Sequence, residues 1–104
     1  MTKRDIVHIA KKKAEQSIST YKVSAIGLNK RGEVVYTAFN KPRFMRKGGA
    51  IHAEMEVMLK GGPGVATIVI CRVGRSGDIL PIHPCEVCAD KAEELGIKIV
   101  SIEG

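Results

Sequence analysis

The sequence predicts an α/β fold with the element order α-β-β-α-β-α-β and a mixed sheet. Three observations carry this prediction: an amphipathic first segment, two short apolar runs joined by a tight turn, and two later alternations of strand and helix. The chain has 104 residues, of which 44% are hydrophobic and 27% charged, the balance of a globular domain. We therefore expect residues 1–104 to form a single domain.

The first helix is predicted over residues 4–18. Its apolar residues recur at helical spacing and so lie along one face: Ile6, Val7, Ala10, Ala14 and Ile18. A hairpin should follow, with strands over residues 22–28 and 33–39 joined by the turn sequence Asn29-Lys30-Arg31-Gly32. Strands joined by so short a turn are expected to pair antiparallel.

A loop and a second helix come next. Residues 40–49 contain Pro, Gly and several positive charges, which predicts a loop. A helix is predicted over residues 50–60, because an apolar periodic segment there ends at Gly61-Gly62-Pro63-Gly64.

The last part of the chain predicts a strand, a helix and a strand. The β-branched run 67–73 is typical of a strand that is covered on both faces. Residues 74–82 are predicted to be a polar loop, and a helix should begin at Pro84 and end near Leu95 before Gly96. Residues 97–102 supply the last strand, and the two β-α alternations imply parallel pairing by right-handed crossover.

Charge and composition limit the possible partners. The formal charge of +6 favours anionic partners such as nucleotides or nucleic acid, and a solubility surface would account for it equally well. Two Tyr, two Phe and no Trp offer few stacking platforms for single-stranded nucleic acid.

No leader-like or bilayer-length apolar run is present, so we expect no membrane association. Three cysteines, two of them in Cys-x-x-Cys spacing, favour metal or redox chemistry in a reducing cytoplasm.

Two motifs at predicted helix starts carry the chemistry: His52-Ala53-Glu54 and Pro84-Cys85-Glu86-Val87-Cys88. Cys85 and Cys88 are three residues apart, so in a first helical turn both thiolates face one side and are stabilised by the helix dipole. A catalytic zinc takes three protein ligands and one water, and His52, Cys85 and Cys88 would supply the three. Glu54 would reach the same cavity without binding the metal, as a carboxylate that moves protons.

Together these motifs resemble the signature of the cytidine deaminase superfamily of zinc-dependent nucleobase deaminases. The resemblance covers most of the chain and implies a three-layer α/β/α sandwich with a mixed sheet of four strands. It also implies a Zn2+ cofactor and hydrolytic deamination of a cytosine-type nucleoside or nucleotide. The chain ends soon after the last predicted strand, where the family usually has a further helix and strand, so we expect a homo-oligomer.

Several residues outside the zinc motifs are candidates for substrate contacts. The stretch from Asn40 to Arg43 resembles the Asn-Arg-Pro stretch of tRNA adenosine deaminases, which implies that Asn40 holds the sugar. Backbone groups near Ala53 should fix the base edge, and Pro84 lies beside the metal ligands in sequence. Arg43 could hold a phosphate, and Phe44 could stack on a base or act as a lid.

Four further residues have less specific predictions. Cys71 is expected to fill the core of its strand, and His8 is expected at the surface of the first helix. His83 stands where Ser, Thr or Glu often precedes the Pro-Cys pair, so a substrate contact there is open. Arg72 borders the loop before Pro84 and could reach the mouth of the pocket, but it is not counted among the site residues.

Two other functions remain open at this stage. A deaminase acting on a base within RNA or DNA, like the tRNA adenosine deaminases, is supported by the basic charge, whereas the shortage of aromatic residues argues against it. A non-catalytic zinc module that binds a nucleotide or a partner is the second alternative. Glu54 argues against such a module, because a structural zinc site has no use for a carboxylate that is not a ligand. A small-molecule substrate is therefore favoured over nucleic acid.

Overall fold

The computed structural model describes residues 3–16, 22–39, 41–42, 50–51, 53–62, 64–74, 76–83 and 86–102. The helices and strands follow in chain order: α1 (Lys3–Glu15), β1 (Lys22–Leu28), β2 (Val34–Phe39), β3 (Lys41–Pro42), β4 (Ala50–Ile51), α2 (Ala53–Lys60), β5 (Thr67–Val73), β6 (Ile79–Leu80), α3 (Glu86–Leu95) and β7 (Lys98–Ser101). Within these ranges, no helix combines the length and apolar character needed to cross a bilayer.

The main sheet is mixed, as predicted. β1 pairs antiparallel with β2 on one side and with β5 on the other. The far edge of β5 is divided: its first part, from Thr67 to Ile70, pairs parallel with β7, and its end, at Arg72 and Val73, pairs antiparallel with β6. The sheet thus contains five strands in four positions, because the short β6 and β7 lie end to end along the same edge of β5. The predicted count of four strands missed β6.

The two β-α alternations lead to different pairings. β2 and β5 both run antiparallel to β1, so they point in the same direction, but β1 lies between them. Only the crossover from β5 through α3 to β7 ends in a neighbouring parallel strand. The expectation of two parallel pairs is therefore right for the second alternation and wrong for the first, because the hairpin partner β1 already occupies the edge of β2.

Side chains of the two central strands alternate between two cores, which gives the predicted α/β/α sandwich. On one face the sheet packs under α1, where the core residues are Ala10, Ala14, Ile26, Leu28, Val69, Cys71 and Val73. On the other face it packs under α2 and α3, where they are Ala25, Ala38, Ala53, Val57, Met58, Val65, Ile68, Ile70, Cys88 and Ala92. Each core removes aliphatic side chains from water, which is the main favourable contribution to folding.

The turn and helix-end predictions are confirmed. Asn29 Oδ1 accepts hydrogen bonds from the backbone N–H groups of Arg31 and Glu33, at 3.0 and 2.9 Å, and so fixes the hairpin turn. The N–H of Gly61 donates to the Val57 carbonyl at 2.7 Å at the end of α2. Gly96 ends α3 with a φ of 72°, a conformation that favours glycine. The predicted first helix is also confirmed, but it ends at Glu15, with Gln16 in a turn, and not at Ile18, which lies outside the described residues.

Two short strand pairs lie where loops or helix were predicted. Ala50 and Ile51 form β4, paired with β3 at Lys41 and Pro42, so α2 begins at Ala53 and not at Ala50. Within the predicted loop 74–82, β6 pairs with the end of β5. Two-residue strands are too short to produce a period in the sequence, and both depend on pairing partners elsewhere in the chain.

Candidate active site

The starts of α2 and α3 lie at the same end of the sheet. β2 runs towards that end before the chain enters α2, and β5 ends there before the chain enters α3. The two helices contact each other and cover the same core. The topology therefore brings the two sequence motifs, which are some thirty residues apart, to one edge of the protein.

Glu54 occupies the first turn of α2 and is almost completely buried, with 4% of its surface exposed. A carboxylate removed from water is costly unless hydrogen bonds, a cation or the positive end of a helix compensates it. The N-terminus of α2 supplies part of that compensation. Its neighbour Ala53 is fully buried, so its backbone is held firmly in the core.

Cys88 lies in the first half of α3 and faces inward, with 1% of its surface exposed. It belongs to the same core cluster as Ala53 of α2 and Ile70 of β5. The Cys88 side chain is therefore part of the core under α2 and α3 and is removed from solvent. Of the predicted metal ligands, Cys88 is the one that the structure describes.

The other predicted site residues lie outside the described residues: His52, Cys85, Asn40, Arg43, Phe44 and Pro84. In sequence, His52 stands between β4 and α2, and Cys85 directly precedes the first residue of α3. Among the described residues alone, no three His, Cys, Asp or Glu side chains converge to hold a metal.

The predictions for the remaining cysteine and for the two other histidines can be compared with the burial and the position of these residues in the structure. Cys71 is fully buried and packs on the α1 face, so the sheet separates it from Glu54 and Cys88. Burial raises the pKa of its thiol, and the nearby positive charge of Lys11 partly opposes that shift. His8 is exposed on α1, as expected, and His83 is exposed just before the start of α3.

Arg72 is not among the predicted site residues, yet the strand register places it on the site side of the sheet. Ile68 and Ile70 face the core under α2 and α3, and Arg72 is the next residue of β5 with the same orientation. Its Nε atom is buried. Counting in steps of two along the strand would have placed it on the same face as Ile68 and Ile70 from the sequence.

The whole sequence matches one protein family. The model of the cytidine and deoxycytidylate deaminase zinc-binding region matches residues 1–103. The chain belongs to this family. Among curated proteins, no sequence matches the chain.

Solved structures of the same fold include three bacterial cytidine deaminases. The enzyme from Burkholderia pseudomallei is 22% identical with a TM-score of 0.74, and the alignment covers 100% of this chain and 88% of that one. The enzyme from Mycobacterium leprae is 21% identical with a TM-score of 0.67, over 97% and 89% of the two chains. The enzyme from Mycobacterium tuberculosis is 22% identical with a TM-score of 0.65, over 99% and 86%. At this identity the likeness shows the fold.

Membership of the cytidine and deoxycytidylate deaminase family implies zinc, and the described residues fit that metal. Thiolate is a preferred zinc ligand, and Cys88 is held inward at the start of α3. Glu54 is buried in the first turn of the neighbouring helix. A buried thiol and a buried carboxylate at the adjoining starts of two helices are side chains of the kinds that bind zinc or accept protons beside it.

Proposed function

We propose that this chain is a zinc-dependent deaminase that hydrolytically removes the exocyclic amino group of a cytosine-type nucleoside or nucleotide. The burial of Glu54 in the first turn of α2 carries the proposal. A carboxylate at this place has no structural reason to be removed from water, whereas a proton-transfer group gains from a site that excludes it. Membership of the deaminase family supports the same reaction.

The proposal assigns His52, Cys85 and Cys88 as the metal ligands. Zinc bound by three protein ligands lowers the pKa of water to about 7 and so supplies a nucleophile near neutral pH. The shared core of α2 and α3 supports the assignment, because Cys88 belongs to the same core cluster as Ala53, the residue that follows His52.

Glu54 takes a proton from the attacking water and delivers it to the ring nitrogen of the base. It then transfers the second proton of that water to the departing amine. The carbon–nitrogen bond breaks, a carbonyl replaces the amino group, and ammonia leaves. One water is consumed for each base converted, and no oxidant or reductant is needed.

The substrate contacts proposed are Asn40 to the sugar, backbone groups near Ala53 and Pro84 to the base edge, and Arg43 and Phe44 at the mouth of the site. Ala53 supports this assignment because it is fully buried beside Glu54, which fixes its backbone. We further propose that residues 1–104 act as one domain in a homo-oligomer in a reducing cytoplasm. Sedimentation of the purified chain as a monomer would contradict the oligomer.

Ammonia release from a panel of substrates tests the function. The panel contains cytidine, deoxycytidine, their monophosphates and modified cytosines, and it compares the parent chain with Glu54→Gln and Glu56→Gln. Glu56 is the matched control because it lies in the same helical turn and is less buried. We expect Glu54→Gln to keep its zinc and to deaminate at least about a hundredfold more slowly. Glu56→Gln should keep both its zinc and the deamination rate of the parent.

A deaminase of bases within RNA or DNA is the second candidate, because the formal charge of +6 would attract a phosphate backbone. Turnover of an oligonucleotide with salt-sensitive affinity, and none of free nucleosides, would establish it. A zinc-loaded parent that releases no ammonia from any of these substrates would contradict both deaminase proposals and leave a non-catalytic zinc module.

A further inference from the structure

We propose that Arg72 is a positioning residue of the zinc centre, whose guanidinium compensates the negative charge that the metal ligands and Glu54 bring to the site. This inference rests on the proposed function, since it concerns the same metal. It adds to the proposed site a residue of the sheet, on a strand that contains neither of the two motifs.

The strand register fixes where Arg72 lies. β5 pairs with β1 without interruption from Lys22 opposite Val73 to Leu28 opposite Thr67, so its side chains alternate strictly between the two faces. Ile70 belongs to the core that contains Cys88. Arg72 therefore shares that face, and it lies about 7 Å further along the strand towards the end where α2 and α3 begin.

The surroundings of Arg72 within the sheet are apolar. Its neighbours across the two adjoining strands are Val23 of β1 and Leu80 of β6. Arg72 as a whole is half-buried, and its Nε atom is fully buried, so part of the guanidinium is removed from water. Such a placement is unfavourable unless negative charge lies nearby.

Acidic side chains occupy the starts of the two helices that cover this face of the sheet. The first turns of α2 and α3 contain three acidic residues, Glu54, Glu56 and Glu86. Of these, Glu54 is buried, whereas Glu56 is half-buried and Glu86 exposed, so their charges are better screened by water. The buried thiol of Cys88 lies over the same part of the sheet.

The formal charges of the proposed centre do not balance without a further cation. Two thiolates and Glu54 contribute three negative charges, zinc contributes two positive charges, and a neutral His52 contributes none. One negative charge remains in a buried site, where an uncompensated charge is costly. The guanidinium of Arg72 brings the sum to zero.

Zinc affinity is the property that this charge balance should control. Partners behind the direct ligands typically change metal affinity by about 10- to 100-fold when they are removed. Because the ligands themselves stay in place, the loss of zinc affinity should depend on the charge of the side chain at position 72 and not on the size of that side chain.

The experiment measures the zinc dissociation constant by competition with a chromophoric chelator for the parent, Arg72→Met and Arg72→Lys. Lys22→Met is the matched control: it removes one positive charge at the same end of the sheet, but from the α1 face. We expect Arg72→Met to bind zinc at least about tenfold more weakly, Arg72→Lys to recover most of that loss, and Lys22→Met to stay within about twofold of the parent.

Two further measurements separate charge from packing. The unfolding midpoints of the zinc-free proteins should be alike for Arg72→Met and Arg72→Lys, and Arg72→Gln replaces the Met variant if that one does not fold. The inference is overturned if the parent binds zinc and the neutral variant binds it equally well, or if Lys is no better than Met. A parent that binds no zinc would instead overturn the proposed function, and this inference with it.

Discussion

Val57 packs directly against the backbone of Gly27, which joins α2 to the central strand β1. A Cβ added at Gly27 would lie 2.8 Å from Val57 Cγ1 and 3.3 Å from Val65 Cγ2, closer than side-chain carbons normally approach. Glycine is needed here for space. The contact matters for the site because the first turn of α2, one turn before Val57, contains Glu54.

Replacing Gly27 by Ala should therefore displace α2 and destabilise the protein. We expect Gly27→Ala to lower the free energy of unfolding by about 1–3 kcal/mol, the usual cost of overpacking a core, and to lower the deamination rate as Glu54 moves. Urea denaturation measures the first effect and ammonia release the second. Gly64→Ala is the control, since a Cβ there meets no atom within 4 Å; equal stability of the two variants would contradict the prediction.

A buried hydrogen bond of Ser24 links α1 to the sheet. Its Oγ donates to the carbonyl oxygen of Ala10 at 2.6 Å. We expect Ser24→Ala to lower the free energy of unfolding by about 1 kcal/mol, because a buried hydrogen bond contributes about that much. Ser76→Ala, at an exposed position, should change it little. A Ser24→Ala variant as stable as the parent would show that this bond does not hold α1 in place.

Cys71 should make stability sensitive to alkaline pH. Burial raises the pKa of its thiol in the folded protein, so the unfolded chain loses this proton first as the pH rises. Cys71 thus makes its full contribution to the free energy of unfolding below the pKa that its thiol has in the unfolded chain. That contribution is lost as the pH rises through the pKa of the thiol in the folded protein. From about pH 8 to pH 10, we expect the parent to lose more unfolding free energy than Cys71→Ala. Parallel pH profiles would contradict this.

Removing zinc should lower the thermal stability of the parent, because a ligand that binds only the folded state stabilises it. We expect dialysis against a chelator to lower the Tm of the parent, and re-addition of zinc to restore it. Cys88→Ser should show a much smaller response, whereas Cys71→Ala should keep the full one, since Cys71 lies on the opposite face of the sheet. A full response in Cys88→Ser would remove Cys88 from the ligand set.

The long elements of the fold could be predicted because each has a local cause. The hairpin follows from the turn residues that begin at Asn29, and β5 follows from the β-branched run between Thr67 and Val73. The pairings at Ala50 and Ile79 could not be predicted, because a two-residue strand exists only where a distant partner meets it. The order of strands across the sheet is likewise a tertiary property, and β1 separates β2 from β5.

The candidate site likewise combines residues that the sequence identifies with a residue that depends on tertiary structure. Glu54 and Cys88 could be identified from their motifs, and the structure adds that both are buried at adjoining helix starts. Arg72 belongs to no motif, and its importance depends on which face of β5 it shares with Ile70. The role proposed for Arg72 can be recognised only when the register and the positions of both helices are known.

The most direct test of this account is a crystal structure of the zinc-loaded protein with anomalous diffraction measured at the zinc edge. We predict one peak per chain, bonded to a nitrogen of His52 and to the Sγ atoms of Cys85 and Cys88, with zinc–sulfur distances of about 2.3 Å. The carboxylate of Glu54 should lie beside the metal without binding it. A peak elsewhere in the chain, or His52 beyond bonding distance of the ion that the two cysteines hold, would contradict the account.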